Sequence, residues 1–357
     1  MNGRTNSNNN TTGLEIEVPL DPVTNVSASA GNGQVELTWT DPLDKYAATE
    51  GEVAESPNPI VSQWDHTRVV RKENTQPTGP NDGVIVLSSD VRNQYQSTSY
   101  VDSGLINDTL YHYGLFACNT AGLFSTGAFG SATPKASTPL SQLPEGTIIK
   151  ILENDAPVEY LIVNQGLPSS MYDASCDGCW VLRKDIAENR AWGTADNDYK
   201  KSRIQSYLNG SWLTRYSAGV LSQIKQVKIP YWNGTGSGGS VESGANGLSC
   251  KIFLLSAYEV GFNTSYNSWF PRDGAKLSYF SSGIGSAANN KRIANYNGSA
   301  IDWWLRSPFT DNTSAVWAID SNGYHSSLYF DSPYGVRPAL ILPSTALVDA
   351  DLNLVES

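Results

Sequence analysis

Cys176 and Cys179 stand two residues apart, the spacing of a metal clamp or a redox pair. A structural zinc would need a second ligand pair. Only Cys250 and three histidines (His66, His112, His325) are on offer, none at finger spacing. A thioredoxin-type pair belongs between a strand and a helix of a βαβ unit, and no such pattern surrounds this one. Zinc ligands, a disulfide and inert loop thiols therefore all stay open. Nucleophilic catalysis needs a nucleophile beside a base. His325 is the one histidine of the C-terminal part, set among serines but without a Gly-x-Ser-x-Gly elbow. Asp311, Asp320 and Asp331 are carboxylates that could hold Ca²⁺, yet they lack the dense alternation of a dedicated loop. No segment singles out the paired carboxylates of a glycoside hydrolase. The expectation is no catalytic residue and no cofactor, with Ca²⁺ kept as the alternative.

The chemistry the sequence does advertise is non-covalent. Of 357 residues only 17% are charged, below the roughly 25% of an ordinary domain. The chain nevertheless holds 10 Trp and 18 Tyr, with abundant Gly, Ser, Asn and Thr. Rigid aromatics spaced by small polar residues are the palette of binding surfaces. They concentrate in one window: Phe309, Thr310, Asp311, Asn312, Thr313 and Trp317, then Asp320, Tyr324, His325, Ser326, Tyr329, Asp331 and Tyr334. These are the candidate ligand-binding residues. A net charge of −11 without basic clusters argues against nucleic acid, and no apolar run approaches the roughly 20 residues of a membrane helix.

Elements must carry that window. Residues 1–20 read as a flexible, Asn-rich arm with no apolar core of a secretory signal. Residues 21–136 read as all-β. Val35, Leu37 and Trp39 alternate onto one face, and the run from Leu110 to Ala117 has the same period. Residues 137–144 read as a Pro/Ser/Thr linker, 145–345 as a second domain and 346–357 as a tail. In the second domain, strands are expected at 147–151, 158–163 and 180–182, and helices after Ser202 and Ser217. A capping box falls at Ser256 and Glu259, a long loop at 232–247, and short strands across 316–342. The fold class is mainly β with short helices.

Two resemblances sit on these elements. Pro22-Val-x-x-Val26, Val35-x-Leu37-x-Trp39 and Leu105-x-Asn107-x-Thr109-x-Tyr111-x-Tyr113 resemble a fibronectin type III domain, with Tyr111 at its tyrosine corner. The stretch Asp41–Pro59 departs from that pattern as an inserted loop. Trp303-Trp304-Leu305-Arg306-Ser307-Pro308 and Gly335-Val336-Arg337-Pro338-Ala339 resemble a domain family of undefined function from Gram-positive gut bacteria and their phages. They are also similar to the C-type-lectin-like fold of formylglycine-generating-enzyme type, which hosts the variable proteins of diversity-generating retroelements. The resemblance implies an immunoglobulin-like sandwich followed by an α+β lectin-like domain. Its structural frame would be Trp303, Trp304, Arg306, Gly335 and Arg337, presenting a window that adenine-directed mutagenesis could have diversified. It further implies a virion-borne phage tail protein, extracellular when acting, that binds a host surface protein or glycan. The arm and sandwich would meet other tail proteins, and the chain would be a homo-oligomer, with a trimer among the options. A bacterial surface adhesin or glycan-binding protein, and a cell-envelope glycan hydrolase, are the alternatives.

Overall fold

The computed structural model describes residues 18–47, 59–193, 195–265, 267–281 and 285–356. It is mainly β with short helices, and the chain forms two compact units, Met1–Ala136 and Ser137–Ser357. Among the described residues no helix is long and apolar enough to cross a membrane.

The first unit is built by period-two alternation. Strands Thr24–Gly31, Gln34–Thr40 and Tyr100–Ser103 make a three-stranded antiparallel sheet. A four-stranded sheet runs in the order Val84–Ser89, Trp64–Glu73, Tyr111–Asn119, Ala128–Ala132. Val35, Leu37 and Trp39 from one sheet meet Val69, Tyr113 and Leu115 from the other in a shared core. The Tyr111 hydroxyl accepts a 3.1 Å hydrogen bond from the Ile106 amide, which ties the strand entry to the chain just upstream. The expected arm is shorter than 1–20, because Leu20 is buried in this core. Its residues 1–17 lie outside the described residues. Of the stretch Asp41–Pro59, residues 48–58 lie outside them too, while Lys45–Tyr46 pairs with Ile60–Ser62.

The second unit starts earlier and ends later than the composition suggests. Residues 137–144 are not a linker. Ser137–Pro139 pairs antiparallel with Leu347–Asp349, and Leu140 is fully buried. Residues 346–357 are correspondingly not a free tail, since Val348 and Leu354 join the core. Burying each such aliphatic side chain is worth about 1.5–3 kcal/mol, which outweighs the extended, solvated preference of the surrounding Pro and Ser.

Two five-stranded sheets form the body of this unit. One runs Ile148–Glu153, Ala156–Gln165, Cys179–Arg183, Ala339–Leu342, Ile252–Phe253. Its first hairpin turns at Asn154 and Asp155, both in the left-handed region that such a two-residue turn needs. The other runs Glu188–Ala191, Pro333–Val336, Trp303–Pro308, Ala315–Ile319, His325–Tyr329. Helices Arg203–Leu208 and Ala218–Gln223 begin where the sequence caps them. The hydroxyl of Ser202 accepts the Gln205 amide, and that of Ser217 accepts the Val220 amide. The expected 232–247 loop is partly ordered, as Tyr231–Asn233 pairs with Ser240–Glu242.

Candidate functional site

The second sheet positions the window, and its central strand is pinned by one buried arginine. Every residue of Trp303–Pro308 is buried. Arg306 spends all its donors inside. Nε donates to the Pro230 carbonyl at 3.0 Å, and the two terminal nitrogens reach the Leu254 and Asp273 carbonyls at 2.9 and 3.0 Å. The same nitrogens grip both oxygens of Glu259, one at 2.7 Å. Both side chains are fully shielded from solvent. Burial opposes the Arg306 charge, but the adjacent Glu259 more than offsets it and the arginine pKa is raised. Glu259 also accepts from the Tyr172 hydroxyl at 2.7 Å and from the Ser256 amide at 2.9 Å. The capping box legible in the sequence is therefore present as a single turn, and its carboxylate doubles as the counter-ion.

Asp273 lies beside this pair. Its carboxylate accepts from the Ser307 hydroxyl at 2.8 Å, and that hydroxyl accepts from the Ala257 amide. Burial pushes its pKa up to about 7, against the pull of Arg306 and Ser307. Electrostatics explain the direction. Arg306 and Glu259 already neutralise each other, so an ionised Asp273 would be an uncompensated buried charge. Among the described residues Arg337 has no carboxylate partner. Its Nε donates to the Arg183 carbonyl at 2.9 Å, its guanidinium lies 4.9 Å from the Trp303 ring centre, and burial lowers its pKa to about 10. Trp303 and Gly335 face each other across a parallel bridge, so the two motifs meet side by side. All five expected frame residues are buried.

The window between them does not form one exposed face. Trp317 is buried, 4.1 Å from the Phe270 ring and 4.9 Å from Phe309, and Thr310 is buried with its hydroxyl donating to the Trp269 carbonyl at 2.9 Å. Both are corrected from ligand-binding residues to core. Trp317 sits in Ala315–Ile319, a wholly buried strand, where a large ring does more by packing than by facing water. Phe309 is half-buried against it. Asn312 and Asp320 are turn-builders. Asn312 accepts the Ser314 amide, and Asp320 accepts those of Asn322 and Tyr324. Gly323, at φ +80°, is backed so closely by Asn289 that a Cβ would lie 2.1 Å from its carbonyl oxygen. His325 is half-buried with its ring perpendicular to Phe262, Phe270 and Trp317 at 5.2–5.5 Å, and burial lowers its pKa. Ser326 is half-buried, and Tyr334 is half-buried edge-on to Trp304 at 5.2 Å.

What remains solvent-facing is narrower. Tyr324 is 52% and Tyr329 63% exposed, and Asp311, Thr313 and Asp331 are exposed as well. Tyr329 stands on His325–Tyr329, which among the described residues pairs only with Ala315–Ile319 and so is an edge strand of the sheet. Two contributors escaped the sequence reading. Trp269 is 39% exposed, and its carbonyl anchors both Thr310 and the Trp317 indole. The fully buried Asn197 donates to the carbonyls of Phe309, Asn312 and Ala315 and accepts the Gly236 amide, clamping the 309–315 turn. A lone Trp in the polar stretch 263–269 was a signal that could have found the first. Asn197 acts across more than a hundred residues and left no local trace.

All four cysteines are free and buried, so of the readings left open for Cys176 and Cys179 the disulfide falls. Burial raises Cys176 to about 11 and Cys179 to about 12, so both are neutral thiols packed in the core. Among the described residues no group of three or more His, Cys, Asp or Glu could hold a metal ion. Asp311, Asp320 and Asp331 are not brought into such a group.

Residues 177–344 match the model of a domain of unknown function (DUF6273), a span that contains both motifs and the window. Among solved structures the chain is similar to "Titin kinase and its flanking domains", at 13% identity over 68% of this chain, with a TM-score of 0.22. The chain covers 39% of the length of that structure. A likeness at that score carries no assignment of fold. No curated protein matches.

Proposed function

We propose that the chain is a receptor-binding or adhesion protein of a phage tail, and that its second unit binds a protein or glycan of a bacterial host surface. One observation carries this reading. An edge strand presents solvent-facing Tyr329, the turn leading into it presents Tyr324, and the adjoining strands are locked by a buried ion pair at Glu259 and Arg306. Rigid tyrosines on a preorganised frame bind at low entropic cost. The two motifs lying side by side support a C-type-lectin-like reading of the second unit. The three-plus-four strand order and the Tyr111 hydrogen bond support a fibronectin type III-like spacer in the first. The best-shielded carboxylates, Glu259 and Asp273, are bound into the core and away from water, which favours binding over turnover.

Exchange of the whole 309–334 segment would disturb the core through Thr310 and Trp317. The test therefore changes only exposed positions: Asp311, Thr313, Tyr324, Ser327, Tyr329 and Asp331. Binding of the purified chain to host cells should fall or change target, while the melting temperature stays nearly constant. Unchanged host binding in a folded variant would overturn the reading.

A further inference from the structure

The second sheet carries a feature that the tyrosine edge does not include. A cleft of about 430 Å³ opens where Glu188–Ala191 and Pro333–Val336 meet the approach to Trp303 and the turn after Asp320. Its lining includes Asn189, Ile301, Asp302, Ser321 and Tyr334. The volume lies at the small end of ligand pockets, the scale of a single ring-sized group.

The lining is chemically mixed in a specific way. Asp302 is half-buried, and one carboxylate oxygen accepts the Ser321 amide at 3.0 Å. Its other oxygen has no protein partner among the described residues. Partial burial raises the Asp302 pKa, with Asp320 acting in the same direction. No Lys, Arg or His lines the cleft. Asn189 is exposed and supplies an amide, Ser321 a hydroxyl, and Tyr334 an aromatic ring held edge-on by Trp304. The Asp302 carbonyl accepts the Gly335 amide at 2.9 Å, so the carboxylate-bearing residue is tied to the point where the two motifs meet.

We infer that this cleft binds one ring of a neutral saccharide, with Asp302 accepting from ring hydroxyls, Asn189 and Ser321 completing the polar contacts, and Tyr334 packing on the ring's apolar side. Without a basic neighbour the free carboxylate oxygen calls for a donor, and a hydroxyl supplies one without bringing a second charge. An anionic ligand would meet Asp302 unshielded. The inference rests on the binding reading above and names the ligand class for a second contact on the same unit.

The test titrates the full chain with free glucose, galactose, mannose and N-acetylglucosamine, and with tetramethylammonium as a cationic probe, by calorimetry. At least one neutral sugar should bind saturably. Asp302→Asn, which keeps an acceptor for the Ser321 amide, and Asn189→Ala, at an exposed position, should each weaken it about tenfold or more, the scale of a lost hydrogen bond to a charged or polar group. Ser222→Ala, at an exposed position of the helix Ala218–Gln223 and outside both the cleft and the tyrosine edge, should leave sugar affinity unchanged. Absence of sugar binding, sugar binding indifferent to both cleft substitutions, or preference for tetramethylammonium would each overturn the inference. If host-cell binding still depends on Tyr324 and Tyr329 while no sugar binds, the cleft assignment falls and the receptor-binding reading stands.

Discussion

The substitution Asp273→Asn isolates the buried carboxylate beside Arg306. In the folded protein the group keeps its proton to about pH 7, against an ordinary value of 3.8. The folded state therefore binds the proton more tightly than the unfolded chain. The stabilisation is complete at low pH and is lost as pH rises from about 4 to about 7. Between pH 5 and pH 8 the linkage amounts to about 2–3 kcal/mol. For a unit of this size that is roughly 5–10 °C in melting temperature. The amide of the Asp273→Asn variant is neutral at every pH and gives no such slope. Urea unfolding of both proteins at pH 5, 6, 7 and 8 gives the contrast directly. His325 contributes with the opposite sign, because its lowered pKa lets the unfolded chain take up the proton first as pH falls. That contribution is common to both proteins and cancels in their difference. The wild type should lose stability relative to the variant as pH rises. Parallel pH profiles would refute the argument that Asp273 is held neutral.

Glu259→Gln should cost about 3–5 kcal/mol in urea unfolding, because it leaves Arg306 charged and unpaired in the interior; a loss below about 1 kcal/mol would mean water reaches the pair. Trp304→Ala should cost about 3–5 kcal/mol by the same measurement, since the ring is fully buried and its indole donates to the Arg190 carbonyl. Gly323→Ala should destabilise by more than about 1 kcal/mol, where a Gly→Ala change at a compatible position would stabilise, because strain at positive φ adds to the collision with Asn289; thermal melting checks it.

Much of the local structure was legible because it is written locally. Alternation at Val35, Leu37 and Trp39, the caps at Ser202 and Ser217 and the Ser256–Glu259 box each depend on a few neighbouring residues. The candidate site was less legible because its logic is non-local. Composition marks 309–334 as one polar, aromatic window, but the fold buries one of its strands whole, so Trp317 packs inward, Thr310 is buried in the turn before it, and Tyr324 and Tyr329 face solvent. The counter-ion of Arg306 stood in plain sight as a helix-capping residue. Only the fold brings Glu259, Asp273 and Asn197 to the strands they hold, across separations of tens to more than a hundred residues. The 137–144 stretch misled for the reverse reason: its Pro and Ser content hid one leucine that the core needed.

The parallel bridge between Trp303 and Gly335 sets the starts of the two strands side by side, so the window leaves Trp303–Pro308 at its far end and must cross back before it enters Pro333–Val336. Its three turns are not equivalent. The turn at 309–315 is held at fixed length by Asn197, and the turn at 320–324 is backed against Asn289. The exposed turn around Asp331, just before Pro333, has neither restraint. Extra residues there would lengthen a surface loop at an entropic cost that grows only with the logarithm of its length. Variation in window length between relatives should therefore collect after Phe330, while the two restrained turns vary in residue identity at constant length.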